Sequence, residues 1–179
     1  MEKILETNRL ILRQMTVNDA DEVFENWTNS EFVAKYLTWA PHSSIQVTKE
    51  YLKFEEVSRE EGWGIVLKET NHLIGNIAVI EDKQKSNTKT IGYVLGEAFW
   101  NQGYMSEALT EVIDFLFKAT QVNRIEAEHD VENPGSGKVM KNSGMTFEGV
   151  LRQAGWNNQG IVDVAVYSIL RSEWQLLKR

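Results

Sequence analysis

Hydrophobic positions change period twice along this chain, and the changes outline its elements. Leu10-Ile11-Leu12, bracketed by Arg9 and Arg13, predicts a first strand over Arg9 to Arg13. Thr16 is placed to cap a helix, with Asp19 in its first turn and Ala20, Val23, Phe24 and Trp27 at helical spacing behind it. A second short helix is predicted near Ser30 to Tyr36. Ser43 or Ser44 then caps a longer one, with Ile45, Thr48, Tyr51, Leu52 and Phe54 among its inner positions. The middle of the chain has the period of strands: Trp63 to Leu67, Leu73 to Ile80 and Thr90 to Leu95, with a hairpin turn at Asn71-His72 and a polar loop from Lys83 to Asn87. After Gly103 the period is helical again, with Ala108, Leu109, Val112, Ile113, Leu116 and Phe117 on one face. Val122 to His129 reads as a strand and Ser136 to Asn142 as a short helix that stops at Gly144. Met145 to Arg152 and Ile161 to Leu170 read as a closing antiparallel pair. The order β-α-α-β-β-β-α-β-α-β-β implies a mixed α/β (α+β) fold, a sheet with helices on its faces. Its single β-α-β unit should supply the parallel crossover.

Composition narrows the function classes. A chain of 179 residues with 42% hydrophobic content is expected to form one domain, spanning residues 1–179, with a core that needs no staples. The absence of cysteine excludes a disulfide framework, a thiolate metal site and a cysteine nucleophile, and fits a reducing, cytoplasmic location. Met1 to Thr7 has no apolar stretch and no apolar run approaches membrane-spanning length, so neither a signal peptide nor a membrane partner is expected. The balance of 19 basic against 26 acidic residues, net −7, is the opposite of a nucleic-acid binder and suits a cationic substrate such as an amine. His42, His72 and His129 are scattered without ligand spacing, so no metal is expected. No serine has a matched histidine and acid in a hydrolase arrangement.

Two segments carry candidate chemistry. Val94 to Ala108 is a strand, a tight turn and the start of a long amphipathic helix. A helix start has unpaired N–H groups and partial positive charge, and a glycine-bearing turn before it lets further N–H groups converge. A pyrophosphate on Gln102 to Ser106 would need no lysine. The competing reading is a plain strand-turn-helix capped by Ser106. The second segment is Asn133-Pro134-Gly135-Ser136, again a turn opening a helix, whose side chains serve either a ligand or helix capping. Gly135-Ser136-Gly137-Lys138 is not a P-loop, because Glu132 and Val139 stand where glycine and a hydroxyl residue are needed.

In order along the chain, these pieces resemble the GNAT superfamily of N-acetyltransferases, in its RimJ/RimL-like branch. The resemblance rests on Thr7 to Arg13, Ile74-Gly75-Asn76-Ile77, Ile91 to Leu95, Phe99 to Leu109, Asn133 to Met145, Phe147 to Arg152 and Gly160 to Leu170. It implies a GNAT fold, with a mostly antiparallel central sheet of about seven strands. It implies acetyl-CoA as cosubstrate, held at the pyrophosphate by Gln102, Gly103, Tyr104, Met105 and Ser106. The pantetheine arm would follow Tyr93, Val94 and Leu95, where that strand splays from its neighbour, and touch Asn133. Ser136 would be the acid for the leaving thiolate. Departures are Trp100, Asn101 and Met105 in the loop, Gly137 for a more typical arginine and Met145 for phenylalanine. The reaction implied is direct attack of a neutral amine on the thioester in a ternary complex. The acceptor would be a protein or peptide N-terminus or a small amine, with Glu81, Asp82, Glu128 and His129 as candidate bases. Trp39 to His42 and Trp156 to Gln159 are expected to line the acceptor side. A non-catalytic acyl-CoA-binding module is the alternative, and exposed strand edges would allow a homodimer.

Overall fold

A computed structural model describes residues 4–58 and 61–178. The chain opens with β1 (Leu5–Glu6) and β2 (Leu10–Arg13), followed by α1 (Ala20–Val23), α2 (Glu31–Ala34) and α3 (Ile45–Ser58). Next come β3 (Gly62–Leu67), β4 (Leu73–Lys83), β5 (Thr88–Leu95), α4 (Tyr104–Ala119), β6 (Arg124–Asp130) and α5 (Pro134–Asn142). β7 (Thr146–Asn157), β8 (Gly160–Leu170) and α6 (Arg171–Leu177) close it. The strands form one eight-stranded sheet in the order β1-β2-β3-β4-β5-β6-β8-β7. The count exceeds the expected one because β1, two residues long, pairs through Leu5 with Leu12. Every neighbouring pair is antiparallel except β5 and β6, which the α4 crossover makes parallel, as the single β-α-β unit required.

Two cores lie on opposite faces. α4 and α5 cover one, where Ile91, Ile125 and Ala127 meet Ala108, Leu109, Val112, Ile113, Leu116 and Phe117. These six helical residues are each at most 2% exposed, so the 3.6-residue stripe is a buried seam. The other core packs Ala20, Val23, Trp27, Val33 and Leu52 against Met15, Val66 and Leu73. Residues alternate between the faces along β5, so Tyr93 and Leu95 join the α4 side and Val94 the other.

Several local readings need correction. Phe54 is 65% exposed, because α3 buries only Thr48, Leu52 and Glu55 in a narrow stripe. The second helix shrinks to α2, capped by Ser30 Oγ accepting from Val33 N–H at 3.2 Å. After α1, Phe24 to Thr28 form a π turn, which widens the helix and ends it. β7 runs past Arg152 to Asn157, with two register shifts and Gln153 at φ 52°.

One irregularity positions everything that follows. β5 and β6 pair only through Thr88–Arg124, Lys89–Ile125 and Thr90–Glu126, although β5 continues to Leu95 and β6 to Asp130. Beyond Thr90 the strands separate. The vertex is fixed by Glu126, which accepts from Thr90 Oγ1 (3.2 Å), Lys83 Nζ (2.6 Å) and Arg124 Nε (2.9 Å).

Candidate active site

The separation of β5 from β6 opens a cleft of about 520 Å³. Tyr93, Val94 and Leu95 line it from β5, Gly103, Tyr104, Met105 and Ser106 from the start of α4, and Asn133 and Ser136 from the start of α5. Three segments far apart in sequence therefore converge. A parallel strand that has lost its partner leaves alternate backbone N–H and C=O groups unpaired along 91–95, facing the opening.

The turn before α4 is built for donors. Asn101 has φ 60° and Gly103 φ 80°, both left-handed, and Gly103 occupies the cap position. The first bond into the helix is Glu107 N–H to Gly103 C=O at 3.0 Å, which leaves the Tyr104, Met105 and Ser106 N–H groups without intrahelical partners. Ser106 thus lies inside the first turn and is not its cap. The Met105 side chain is 3% exposed and points into the core, so only its backbone is offered to the cleft. Of the residues predicted to hold the cofactor, Gln102 alone does not line the cleft, and the predicted acceptor loops at 39–42 and 156–159 lie outside its lining as well. The Gln102 side chain donates to Ala98 C=O at 2.9 Å, and its own C=O accepts from Arg9 at 3.0 Å.

Arg9 was missed as a site residue. Its guanidinium donates to Glu107 Oε2 at 2.7 Å and lies over the Tyr104 ring at 4.4 Å. Glu107 Oε1 accepts from the Arg9 backbone N–H (2.8 Å) and Thr7 Oγ1 (2.6 Å). Burial alone would raise the Glu107 carboxyl, but these bonds outweigh it and hold the group below the usual range. The Thr7-Asn8-Arg9 opening carries the signal, but its contact with α4 joins residues 98 positions apart.

Ser136 has a defined hydrogen-bond setting. Asn133, at the cap of α5, donates through Nδ2 to Ser136 Oγ at 3.1 Å. The Ser136 hydroxyl accepts that bond and keeps its own proton free to donate. Tyr93 Oη donates to Ser136 C=O at 3.0 Å, tying β5 to α5 across the opening. Burial pushes the Tyr93 phenol well above its ordinary value, so it stays a neutral donor.

The four candidate bases separate cleanly. Glu81 and Asp82 sit at the closed end, opposite Thr90 and Lys89, and pair with Lys83 (3.4 Å) and Lys89 (2.7 Å). His129 shares the α5 face with Ala127. Its Nδ1 donates to Asp130 C=O at 2.7 Å, and its Nε2 is buried without a partner among the described residues. Glu128, one residue earlier on β6, points to the opposite face, is exposed, and makes no ion pair or hydrogen bond among the described residues. The two predicted acceptor loops meet. Asn158 Nδ2 donates to Ala34 C=O (2.8 Å) and Trp39 C=O (2.7 Å), while buried Asp130 accepts from Asn157 Nδ2 at 2.6 Å. Among the described residues no cluster of His, Asp and Glu has metal-binding geometry, and no helix is long and apolar enough to cross a membrane.

An unzipped parallel joint with open helix-start amides at its flank can take an extended chain along the strand edge and an anion on the amides. Residues 9–146 match the acetyltransferase (GNAT) domain, and the chain belongs to that family. It is 34% identical to the N-acetyltransferase YoaA of Bacillus subtilis over 172 residues, covering 94% of this chain and 97% of that one. It is 28% identical to the ribosomal-protein-serine acetyltransferase of Escherichia coli over 149 residues, 77% and 83% of the two chains. A GNAT-family acetyltransferase structure from Bacillus anthracis superposes with a TM-score of 0.86 at 26% identity, over 95% of this chain and 99% of that one. The protein is thus an N-acetyltransferase that takes acetyl-CoA as cosubstrate.

Proposed function

We propose that the chain acetylates a primary amine, either a protein or peptide N-terminus or a small amine, by direct attack on the thioester with both substrates bound. The observation that carries this is the pairing of β5 with β6 through three residues only, which opens a strand edge between the α4 and α5 helix starts. In this reading the N–H groups of Gly103 to Ser106 hold the pyrophosphate. The unpaired edge at Tyr93 to Leu95 takes the pantetheine arm and offers an N–H to the carbonyl oxygen as it gains charge. Glu128 takes a proton from the amine, because it alone of the four candidate bases is unpaired and on the face away from α5. Ser136 protonates the departing thiolate, its oxygen accepting from Asn133 so that its own proton stays free to donate. An acceptor N-terminus is supported by similarity to the Escherichia coli ribosomal-protein-serine enzyme and by the acidic surface. An α-amine, with an ordinary pKa near 8, also needs less help from a base than a lysine near 10.4.

The test is thiol release from acetyl-CoA over a panel of amines and short peptides. The chain has no cysteine, so a thiol-reactive dye reads only liberated CoA. Ser136→Ala and Glu128→Gln should each lower kcat by about 10²–10⁴-fold, while calorimetry shows CoA binding retained. Full activity in either variant removes that residue from the mechanism.

A further inference from the structure

On the face opposite α4 and α5, a chain of hydrogen bonds fixes the state of one imidazole. Thr28 Oγ1 donates to Val23 C=O at 3.1 Å, which uses its single proton. At the 3.2 Å contact between Thr28 and Thr48, Thr48 must therefore be the donor. With its proton spent, Thr48 Oγ1 can only accept from His42 Nδ1, 2.8 Å away. His42 is thereby locked as the Nδ1–H tautomer, with its lone pair on Nε2. Burial lowers the His42 pKa below the ordinary value, which keeps the ring neutral at pH 7. Nε2 has no partner among the described residues and is not sealed from solvent.

This imidazole is flanked by aromatic rings and, although not itself a cleft-lining residue, connects to the cleft through Tyr51 and Asn76. Trp39 and Tyr51 flank His42 with centroids at 5.7 and 5.6 Å. Tyr51 Oη accepts from Asn76 Nδ2 at 3.3 Å, and Asn76 is the cross-strand partner of Val94, which lines the cleft. Trp39, Tyr51 and Val94 all pack on the same core. A fixed acceptor on an otherwise aromatic wall selects a donor, because an acceptor group or a cation-free apolar group leaves the lone pair unsatisfied.

We propose that His42 Nε2 docks the acetyl acceptor by accepting a hydrogen bond from a second N–H that the acceptor carries near its reacting amine. This rests on the amine-transfer reading above and narrows its substrate class. The second N–H comes from a peptide amide or from another amino group.

The test is steady-state transfer to three probes: alanyl-alaninamide, spermidine, and propylamine, which has no second donor. His42→Ala should raise the KM of at least one donor-bearing probe about tenfold. kcat, the KM for acetyl-CoA and turnover of propylamine should change less than about twofold. His42→Gln, which keeps an acceptor, should restore part of the loss. Thr48→Val, which frees the tautomer without changing shape, should show the same selectivity at smaller size and serves if His42→Ala misfolds. An effect on alanyl-alaninamide alone identifies the amide as the donor, and one on spermidine alone identifies a second amine. Equal losses on propylamine, a loss confined to kcat, or unchanged kinetics would overturn the docking role while leaving amine transfer intact. A wild-type protein that binds CoA yet acetylates none of the three would sink both readings.

Discussion

At the scale of single residues, Gly137 shows how a substitution visible in sequence can have its cause elsewhere. The resemblance to RimJ/RimL-like enzymes marks Gly137 as a departure from arginine but offers no reason. In the fold, a Cβ at this position would lie 2.6 Å from His129 Nε2 and 3.1 Å from its Cε1. The imidazole cannot easily retreat, because Nδ1 is bonded to Asp130 C=O and the ring packs on Tyr167 at 5.8 Å. Glycine therefore lets α5 settle on the end of β6, and that contact sets the height of Asn133 and Ser136. Gly137→Ala should cost about 1–3 kcal/mol of stability, as overpacking does, read as a lower urea midpoint. Activity should fall more than CoA binding, since Ser136 shifts while the α4 amides do not. In a His129→Asn background the penalty should shrink, because the two positions are in contact. Residue-level chemistry was legible where it is local: the loop glycine, the Asn133 turn and the Ser136 hydroxyl are read straight from neighbouring letters. Gly137 with His129 and Arg9 with Glu107 were not, because each pair exists only after distant elements pack.

At the scale of elements, α4 was the most legible part of the chain. Its buried stripe repeats at 3.6 residues and its turn contains the one glycine that a left-handed cap requires. What anchors its start is the N-terminal strand. Arg9, beside β2, donates to both Glu107 and the Gln102 carbonyl, and so holds the loop against the helix it feeds. Arg9 is 42% exposed, so the pair adds little to global stability, and its value lies in fixing the loop. Arg9→Met keeps the stem over Tyr104 and removes the fork. The expected result is a several-fold higher KM for acetyl-CoA with kcat and acceptor KM nearly unchanged and a melting temperature close to the parent. A matching fall in stability would mean the clamp is structural. Short helices were the least legible elements. The π turn after α1 and the four-residue α2 depend on Thr28 and Ser30 redirecting backbone bonds, which periodicity does not report.

At the scale of the whole molecule, the sheet is two halves joined at the closed end of an opening. The β-α-β order implied a parallel joint, but not that its pairing stops after three residues. No residue in β5 or β6 marks that stop, and only the family resemblance pointed to the splay at Tyr93 to Leu95. The vertex is locked by a charged cluster. Arg124 makes a two-pronged bond to Glu148 at 2.6 and 2.7 Å and reaches Glu126 at 2.9 Å. Glu148 also accepts from Ser168 at 2.6 Å, and Glu126 from Lys83 and Thr90, so β4 to β8 are all tied together there. Hydrogen bonds from Arg124 and then Ser168 lower the Glu148 carboxyl from the ordinary 4.5 to about 2. A carboxyl depressed in the fold binds its proton more readily when unfolded. Its stabilising effect is therefore complete above pH 4.5 and is lost as the pH falls toward 2. Glu126, depressed by Lys83 and Arg124 against its own burial, adds to the same slope. Melting temperatures should thus drop through this window, less steeply in Glu148→Gln and less steeply in high salt, because Glu148 is 41% exposed and screened. Because the cluster holds the vertex and touches no residue lining the cleft, Glu148→Gln should retain CoA binding at neutral pH and lose it at a higher pH than the parent as acid is added. An acid profile identical to the parent's would show that the vertex is held by strand pairing alone.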